Sequence, residues 1–192
     1  LNSREEHSAA GAWWWGIAIA LVLVTVVAYW PVRNFEFVTL DDVEYVTQKP
    51  WVQLGLTWDG LARAWTEPVA ANWHPVTMIS HMLDCQLFGV DAGWHHLTNL
   101  TLHVVCSVVL FWVLWRMTGQ LWPAAIVAAL FAWHPLRVES VAWISERKDV
   151  LSGTLAMCVL VAYLAYVRDV RLRSYALVFG LLALGLLAKP MY

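Results

Sequence analysis

The residues of this 192-residue chain that can do chemistry fall into a few short clusters. The first is Asp41-Asp42, followed closely by Glu44 and Tyr45. Adjacent carboxylates raise one another's pKa or share a cation and a polar substrate, which suits general-base work on a hydroxyl. A solvated turn is the alternative for the same residues. The second cluster is the charged island from His134 to Asp149, with Arg137, Glu139, Ser140, Trp143 and the run Glu146-Arg147-Lys148-Asp149. Two cations flanked by acids at the head of an apolar segment suit a lipid phosphate, bound by charge-assisted hydrogen bonds. A polar connecting loop is the alternative here.

The histidines form a third set. His74 with His81, and His96 with His103, are seven residues apart and so share a helix face, and His95 adjoins His96. A haem or a dedicated zinc site is therefore a separate functional class, one that a Soret band or stoichiometric metal would reveal. Against it, a bis-histidine haem takes its ligands from facing helices, and neutral histidine is common at membrane edges. Cys85, Cys106 and Cys158 lack metal-ligand spacing, and Cys106 and Cys158 lie in apolar runs where a thiol behaves as a small hydrophobe. All three read as structural.

The elements that position these clusters belong to a membrane. Sixty per cent of the residues are hydrophobic and only 14% are charged, where a soluble domain carries about a quarter. Fourteen tryptophans point the same way, because an indole suits the boundary between apolar and wet surroundings. A net charge of −2 without a large basic patch argues against disorder and against a nucleic-acid partner.

The expected fold is all-α and polytopic, with about five spans. Crossing a ~30 Å hydrocarbon layer takes roughly 20 helical residues. The first span is Ala12 to Trp30, with aromatic residues at both ends; the run is too long for a secretory signal and no small-residue cleavage site follows it. The others run from about Leu97 to Thr118, from Leu121 to about His134 (completed by residues around Leu136 to Ile144), from Val150 to Val167, and from Tyr175 to Ala188.

Residues 1–11 read as a cytoplasmic leader, 31–96 as a long first outer loop and 134–149 as a second outer loop. With the N-terminus in the cytoplasm, Arg4, Arg116, Arg168, Arg171 and Arg173 lie inside. Arg33, Lys49, Arg63, Arg137, Arg147, Lys148 and Lys189 lie outside. That tally opposes the positive-inside rule. However, the densest short basic connection is Arg168–Ser174, and the outer cations sit beside acids or on a long loop where the rule has little force.

In the first outer loop, Thr57 is the expected N-cap of a helix with Asp59 in its first turn and Trp58, Leu61 and Trp65 at helical spacing. After Trp73-His74-Pro75, the residues Val76, Ile79, Met82, Leu83 and Leu87 share a second face. Two amphipathic helices lying flat in the membrane interface fit this pattern, and soluble helices of a small outer domain are the alternative. Trp73-His74-Pro75 with Ser80 recurs as Trp133-His134-Pro135 with Ser140, each marking a helix that starts at the membrane edge. Asp41 follows Trp30 by eleven residues, at most ~36 Å of extended chain, so the acidic pair can fold back to the membrane surface.

In order along the chain come Asp41-Asp42-Val43-Glu44-Tyr45, His74-Pro75-Val76-Thr77, His95-His96-Leu97-Thr98-Asn99-Leu100 with His103, His134-Pro135-Leu136-Arg137-Val138-Glu139-Ser140-Val141-Ala142-Trp143, and Glu146-Arg147-Lys148-Asp149-Val150-Leu151-Ser152. Together these resemble the membrane half of the transmembrane and tetratricopeptide-repeat proteins, which are GT-C-type O-mannosyltransferases in eukaryotes and have bacterial relatives. The resemblance runs from about Phe35 to Tyr192.

It implies a glycosyltransferase that moves a sugar from a polyprenyl-phosphate donor to an acceptor hydroxyl, a protein Ser or Thr, on the extracytoplasmic face of a bacterial inner membrane. Asp41 would be the general base and Asp42 would orient the acceptor, or a divalent cation (Mg or Mn) if one is used. Arg147 and Lys148 would stabilise the departing lipid phosphate, where negative charge develops. Glu139, His134, His74 and His96 would position donor or acceptor. His74-Pro75 replaces a more usual Arg-Pro, and Glu-Arg-Lys-Asp replaces a Gly-Arg-Ala-Asp type of sequence, so the sugar is left open. The chain begins with Leu and stops just after a span, whereas family members continue with further spans and helical repeats, so an N-terminal portion truncated at its C-terminus is expected. The runner-up is a non-catalytic membrane module that binds a lipid-phosphate carrier or anchors a tetratricopeptide-repeat interaction domain.

Overall fold

The first proline is Pro31, and up to it the chain runs as one helix, α1 (Asn2–Tyr29), continued by a 3-10 turn over Trp30–Asn34. The computed structural model describes residues 2–190, with side chains from Trp13 onward. The leader's charges, Arg4 included, lie outside the described side chains, as do Met191 and Tyr192 at the other end.

Three segments are long and apolar enough to cross a membrane: Trp13–Asn34, Ala92–Thr118 and Ile144–Arg168. They take in α1 from Trp13 onward with its 3-10 turn, α5 (Ala92–Thr118) and α8 (Arg147–Arg168). Two shorter apolar helices, α6 (Leu121–Trp133) and α9 (Leu172–Ala188), complete the bundle. At 1.5 Å per residue they measure roughly 20 and 26 Å. The protein is an all-α polytopic membrane protein.

Three expectations need revision. The second span starts at Ala92, earlier than Leu97, because the Asp91 side chain accepts the Trp94 amide at 3.2 Å and caps the helix there. The third is not completed by residues 136–144. Backbone extended at His134 and the proline after it end α6, and a separate short helix, α7 (Arg137–Ala142), and a 3-10 turn (Ile144–Glu146) follow.

The third revision concerns residues 31–96, read above as an outer loop. Its helices are α2 (Pro50–Gln53), α3 (Trp58–Thr66) and α4 (Pro75–Phe88), preceded by a π-helical turn over Val43–Thr47. Thr57 caps α3 as expected, accepting the Gly60 amide at 3.1 Å, and Trp58 and Trp65 face outward. In α4, however, Thr77, His81 and Asp84 are buried while Leu83 and Leu87 are exposed. The helix therefore presents a polar stripe to the protein, and part of its apolar surface faces out.

The spans are held together by small residues and aromatics. Ala124 and Ala128 of α6 let it approach α1, and Trp14 stacks on Phe111 of α5 at 5.9 Å with planes 12° apart. Thr25 satisfies its hydroxyl on the Leu21 carbonyl and accepts the Trp133 indole N–H at 3.0 Å, joining α1 to α6. Gly119, in the left-handed conformation (φ 71°), ends α5 by donating its N–H to Trp115.

At one end of the bundle, α1 leaves, α5 enters, α6 leaves, α8 enters and α9 finishes. The outer-loop helices sit over that end around Tyr45, Val46, Trp51, Val52, Met78, Met82 and Ile144. Gly93 allows the close approach this needs, since a Cβ there would lie 2.5 Å from the Arg33 carbonyl oxygen. The Thr77 hydroxyl donates to the Ala188 carbonyl at 2.8 Å and ties α4 to the end of α9. Both loops of the sequence reading and the last helix therefore meet on one face.

Candidate active site

Arg147 opens α8 and is fully buried. An isolated charge there would cost several kcal/mol, so its partners are the first question. Its Nη2 donates to Asp84 Oδ2 of α4 at 2.7 Å and to the His95 carbonyl of α5 at 2.8 Å. Nη1 donates to Ser80 at 2.8 Å, and Nε donates to Asn99 Oδ1. Asn99 in turn donates to the Trp143 carbonyl at 2.9 Å. Arg147 is thus the point where α4, α5, α8 and the link before α8 are fastened together.

The histidines of the polar stripe continue this network. His95 Nδ1 lies 3.3 Å from Asp84 Oδ2 and 3.2 Å from His81 Nδ1, so one ring donates to the other. Thr98 donates to the second Asp84 oxygen at 3.0 Å. Burial, with the nearby Arg147 charge, holds His81 neutral well below the ordinary histidine range. Burial likewise pushes the Cys85 thiol up to about 11, which fits its structural reading.

His81, Asp84 and His95 bring three metal-type donor atoms within 4.8 Å of one another. They do not fit a cation, because the Asp84 oxygen that would bind it already carries the fixed charge of Arg147 at 2.7 Å. The trio is a hydrogen-bonded scaffold.

Asp42 is fully buried. Its Oδ2 accepts the Val38 amide at 2.9 Å and its Oδ1 accepts the Ser145 amide at 2.8 Å. It therefore clamps the first loop to the turn before α8. Asp41, next to it, is half-buried, and its carboxylate makes no hydrogen bond or ion pair among the described residues. The adjacent acids have been given different environments, one engaged on both oxygens and one free. That asymmetry also fits poorly with a divalent cation shared between them.

Beyond the acids, Tyr45 lies fully buried and stacks on His74 at 5.1 Å with planes 10° apart. Lys148 Nζ lies 5.2 Å from the Tyr45 ring centroid and 3.4 Å from its hydroxyl, and pairs with Glu146 at 2.8 Å. Burial raises the Tyr45 phenol pKa; Lys148 opposes this, and the Asp41 charge adds to it. Burial, with Lys148 adding, pushes His74 down to about 4. Both His74 ring nitrogens, Nε2 of His81 and the Ser145 hydroxyl are buried without a partner among the described residues. Such groups are rare in native proteins and mark places where water or a ligand belongs.

The structure therefore brings His74 and Lys148 onto Tyr45, with Asp41 near enough for its charge to act on the phenol, while Asp42 is engaged by the Val38 and Ser145 amides. His96 is buried edge-on to Phe35 at 6.0 Å. Glu139 and His134 are exposed on α7 and the link before it, and no hydrogen bond or ion pair joins them to the Tyr45 cluster among the described residues. Asp84, Ser80 and Asn99 were not anticipated from sequence. For Asp84 and Ser80 the signal was present in α4, where Thr77, Ser80, His81 and Asp84 recur at helical spacing as a polar counterpart to the apolar stripe; Asn99 lies on α5.

No family model and no solved structure matches the chain. Among curated proteins it is similar to protein O-mannosyl-transferase TMTC1 of Homo sapiens, 30% identical over 166 residues, which covers 80% of this chain and 18% of that protein. Protein O-mannosyl-transferase Tmtc2 of Drosophila melanogaster is 33% identical over 104 residues, 54% of this chain and 11% of that protein. Protein O-mannosyl-transferase Tmtc1 of the same organism is 31% identical over 117 residues, 61% and 13% respectively. The chain spans less than a fifth of the length of each of these relatives.

Proposed function

We propose that this chain, whose relatives at about 30% identity are protein O-mannosyl-transferases, carries the acidic site of a membrane glycosyltransferase. The reaction would move a sugar from a polyprenyl-phosphate donor to a hydroxyl of a protein acceptor. One observation carries the reading most: of two adjacent acids, Asp42 is consumed as a clamp while Asp41 is half-buried, unbonded among the described residues, and near enough to Tyr45 for its charge to raise the phenol pKa.

In this reading Asp41 accepts the proton of the acceptor hydroxyl. The acceptor oxygen bonds to the anomeric carbon, the bond from that carbon to the phosphate oxygen breaks, and the electron pair leaves with the phosphate. Cations at the same end of the bundle, Lys148 among them, answer the charge that develops there. Arg147 contributes through position, since all three of its guanidinium nitrogens are already engaged. His74 and His96 line the inner side of the outer-loop cap, and the exposed His134 and Glu139 are available to orient the acceptor.

The loop-bearing face is the extracytoplasmic one in this proposal, with the N-terminus in the cytoplasm of a bacterial inner membrane. The support is the short basic connection Arg168–Ser174 at the opposite end of the bundle. Replacing Asp41 by Asn in the full-length protein tests the catalytic assignment: sugar transfer is lost while membrane insertion is unchanged. Retained transfer would favour the non-catalytic, carrier-binding reading.

A further inference from the structure

Lys148 follows the fully buried Arg147 at the head of α8, and its own side chain is 15% exposed. Of these two cations, it is the one a ligand can reach. An ammonium has three N–H donors and no acceptor. Each of the three has a partner here. Glu146 Oε1 takes one at 2.8 Å, the Ser145 carbonyl takes a second at 3.1 Å, and the Tyr45 hydroxyl oxygen takes a third at 3.4 Å. While all three contacts stand, Lys148 has no donor left for a substrate anion.

The contacts are unequal. Glu146 is an ionised acceptor within the roughly 2.7–2.9 Å of a charge-assisted bond. The Ser145 carbonyl belongs to a turn that the Asp42 clamp holds by the Ser145 amide. Tyr45 is a neutral acceptor at the longest distance of the three. Its contact is the one that a phosphate oxygen displaces at least cost.

Tyr45 cannot follow Lys148 away. Its side chain is fully buried, its ring stacked on His74 at 5.1 Å and edge-on to His81 at 6.0 Å. The hydroxyl is a fixed resting point, and Lys148, on its flexible four-carbon stem, is the partner that moves. With Nζ 5.2 Å from the ring centroid, the attraction of the aromatic face persists when the hydroxyl contact breaks.

We propose that Tyr45 is a positioning residue whose hydroxyl holds the third N–H of Lys148 at rest and yields it to the phosphate on which charge develops. The phosphate partner of Lys148 rests on the transferase reading above, in which Tyr45 has no role. The exchange favours the charged moment of the reaction over the states before and after it. A lysine with a free donor would hold the phosphate of the spent lipid with nothing to give up. A lysine that must first leave Tyr45 holds it less tightly and lets it go.

Tyr45→Phe tests this, because it removes the hydroxyl and keeps the ring, the stack on His74 and the cation–π contact. Binding of farnesyl phosphate is measured on the full-length protein in lipid nanodiscs. On the same preparations, transfer is assayed from farnesyl phosphomannose to a Ser/Thr peptide. Tyr45→Phe is expected to bind farnesyl phosphate about tenfold more tightly than the wild type, the worth of one hydrogen bond to a charged group. In a Lys148→Met background the same substitution should leave that binding unchanged. A ring that merely fills the core would move neither measurement.

Farnesyl phosphate bound no more tightly by Tyr45→Phe than by the wild type would overturn the proposal. So would an equal gain in the Lys148→Met background, since the hydroxyl would then act without the lysine. The two readings separate cleanly. Asp41-dependent transfer with farnesyl phosphate binding untouched by Tyr45→Phe removes the exchange and keeps the transferase. Tighter binding that requires Lys148, in a protein that transfers no sugar, does the reverse.

Discussion

Asp42 and Ser145 lie 103 positions apart, and the Asp42 carboxylate accepts the Ser145 amide at 2.8 Å in a buried contact. Through this bond the loop after α1 is fixed to the turn that opens α8, which brings Lys148 of α8 over the ring of Tyr45, four residues beyond Asp41 in that loop. Asp42 is a clamp, and the proposal that Asp41 is the reactive group rests on that asymmetry.

Removing the clamp leaves two amides, those of Val38 and Ser145, without their acceptor. Asp42→Ala should therefore destabilise the protein by about 1–3 kcal/mol, whereas Asp41→Ala should change stability little. Thermal unfolding in detergent, followed by tryptophan fluorescence, compares them. Equal melting temperatures for the two variants would contradict the division of roles.

Arg147 allows a second comparison. Arg147→Met strands Asp84 in a buried site and should cost about 3–5 kcal/mol, enough to reduce the amount of folded protein recovered. The double variant Arg147→Met/Asp84→Leu removes both charges and should recover part of the loss. A double variant less stable than Arg147→Met would mean that the pair is not the fastening point described.

The buried histidines predict a pH dependence. His74 titrates near 4 in the folded state against about 6.5 when unfolded, so the unfolded chain takes up the proton first. The stability contributed by neutral His74 is fully present above pH 6.5 and is lost as pH falls from there toward 4. His74→Phe keeps a ring stacked on Tyr45 and should flatten the fall in melting temperature across that window. A slope equal to that of the wild type would remove His74 as its source.

The turn before α4 stores strain. Ala70 and Ala71 have φ of 47° and 60°, between Val69 and Asn72, whose backbones exchange hydrogen bonds at 2.9 Å. Two successive left-handed residues favour Asn-Gly over Ala-Ala. Ala70→Asn/Ala71→Gly should raise stability by about 1 kcal/mol, read as a higher melting temperature with sugar transfer unaltered. A lower melting temperature would contradict the turn geometry.

Much of the fold was legible because long apolar runs and the Thr57 cap act locally, and local signals survive in a single sequence. The three long spans and α3 follow from them. The orientation of α4 did not, because its stripe of Val76, Ile79, Met82, Leu83 and Leu87 is what a surface helix in water would bury, whereas here the buried side is set by Arg147. The importance of the Asp41-Asp42 pair and of the Glu146–Asp149 run was visible from charge in apolar surroundings. Their division of labour was not. Which acid is clamped, and whether Arg147 is engaged or free, depends on partners 63 and 103 positions away, and spacing along the chain carries no trace of such contacts. The Asp149–Lys189 ion pair was hidden for the same reason, since Lys189 arrives from the far end of α9.

The central claim is that Asp41 is the base of a sugar transfer, and the most direct measurement is single-turnover transfer from farnesyl phosphomannose to a Ser/Thr peptide by full-length Asp41→Asn protein in nanodiscs. The account predicts a rate lower by about 10²–10⁴-fold, the usual contribution of a general base, with donor binding and melting temperature unchanged from the wild type. A transfer rate equal to that of the wild type, at equal donor occupancy, would contradict it.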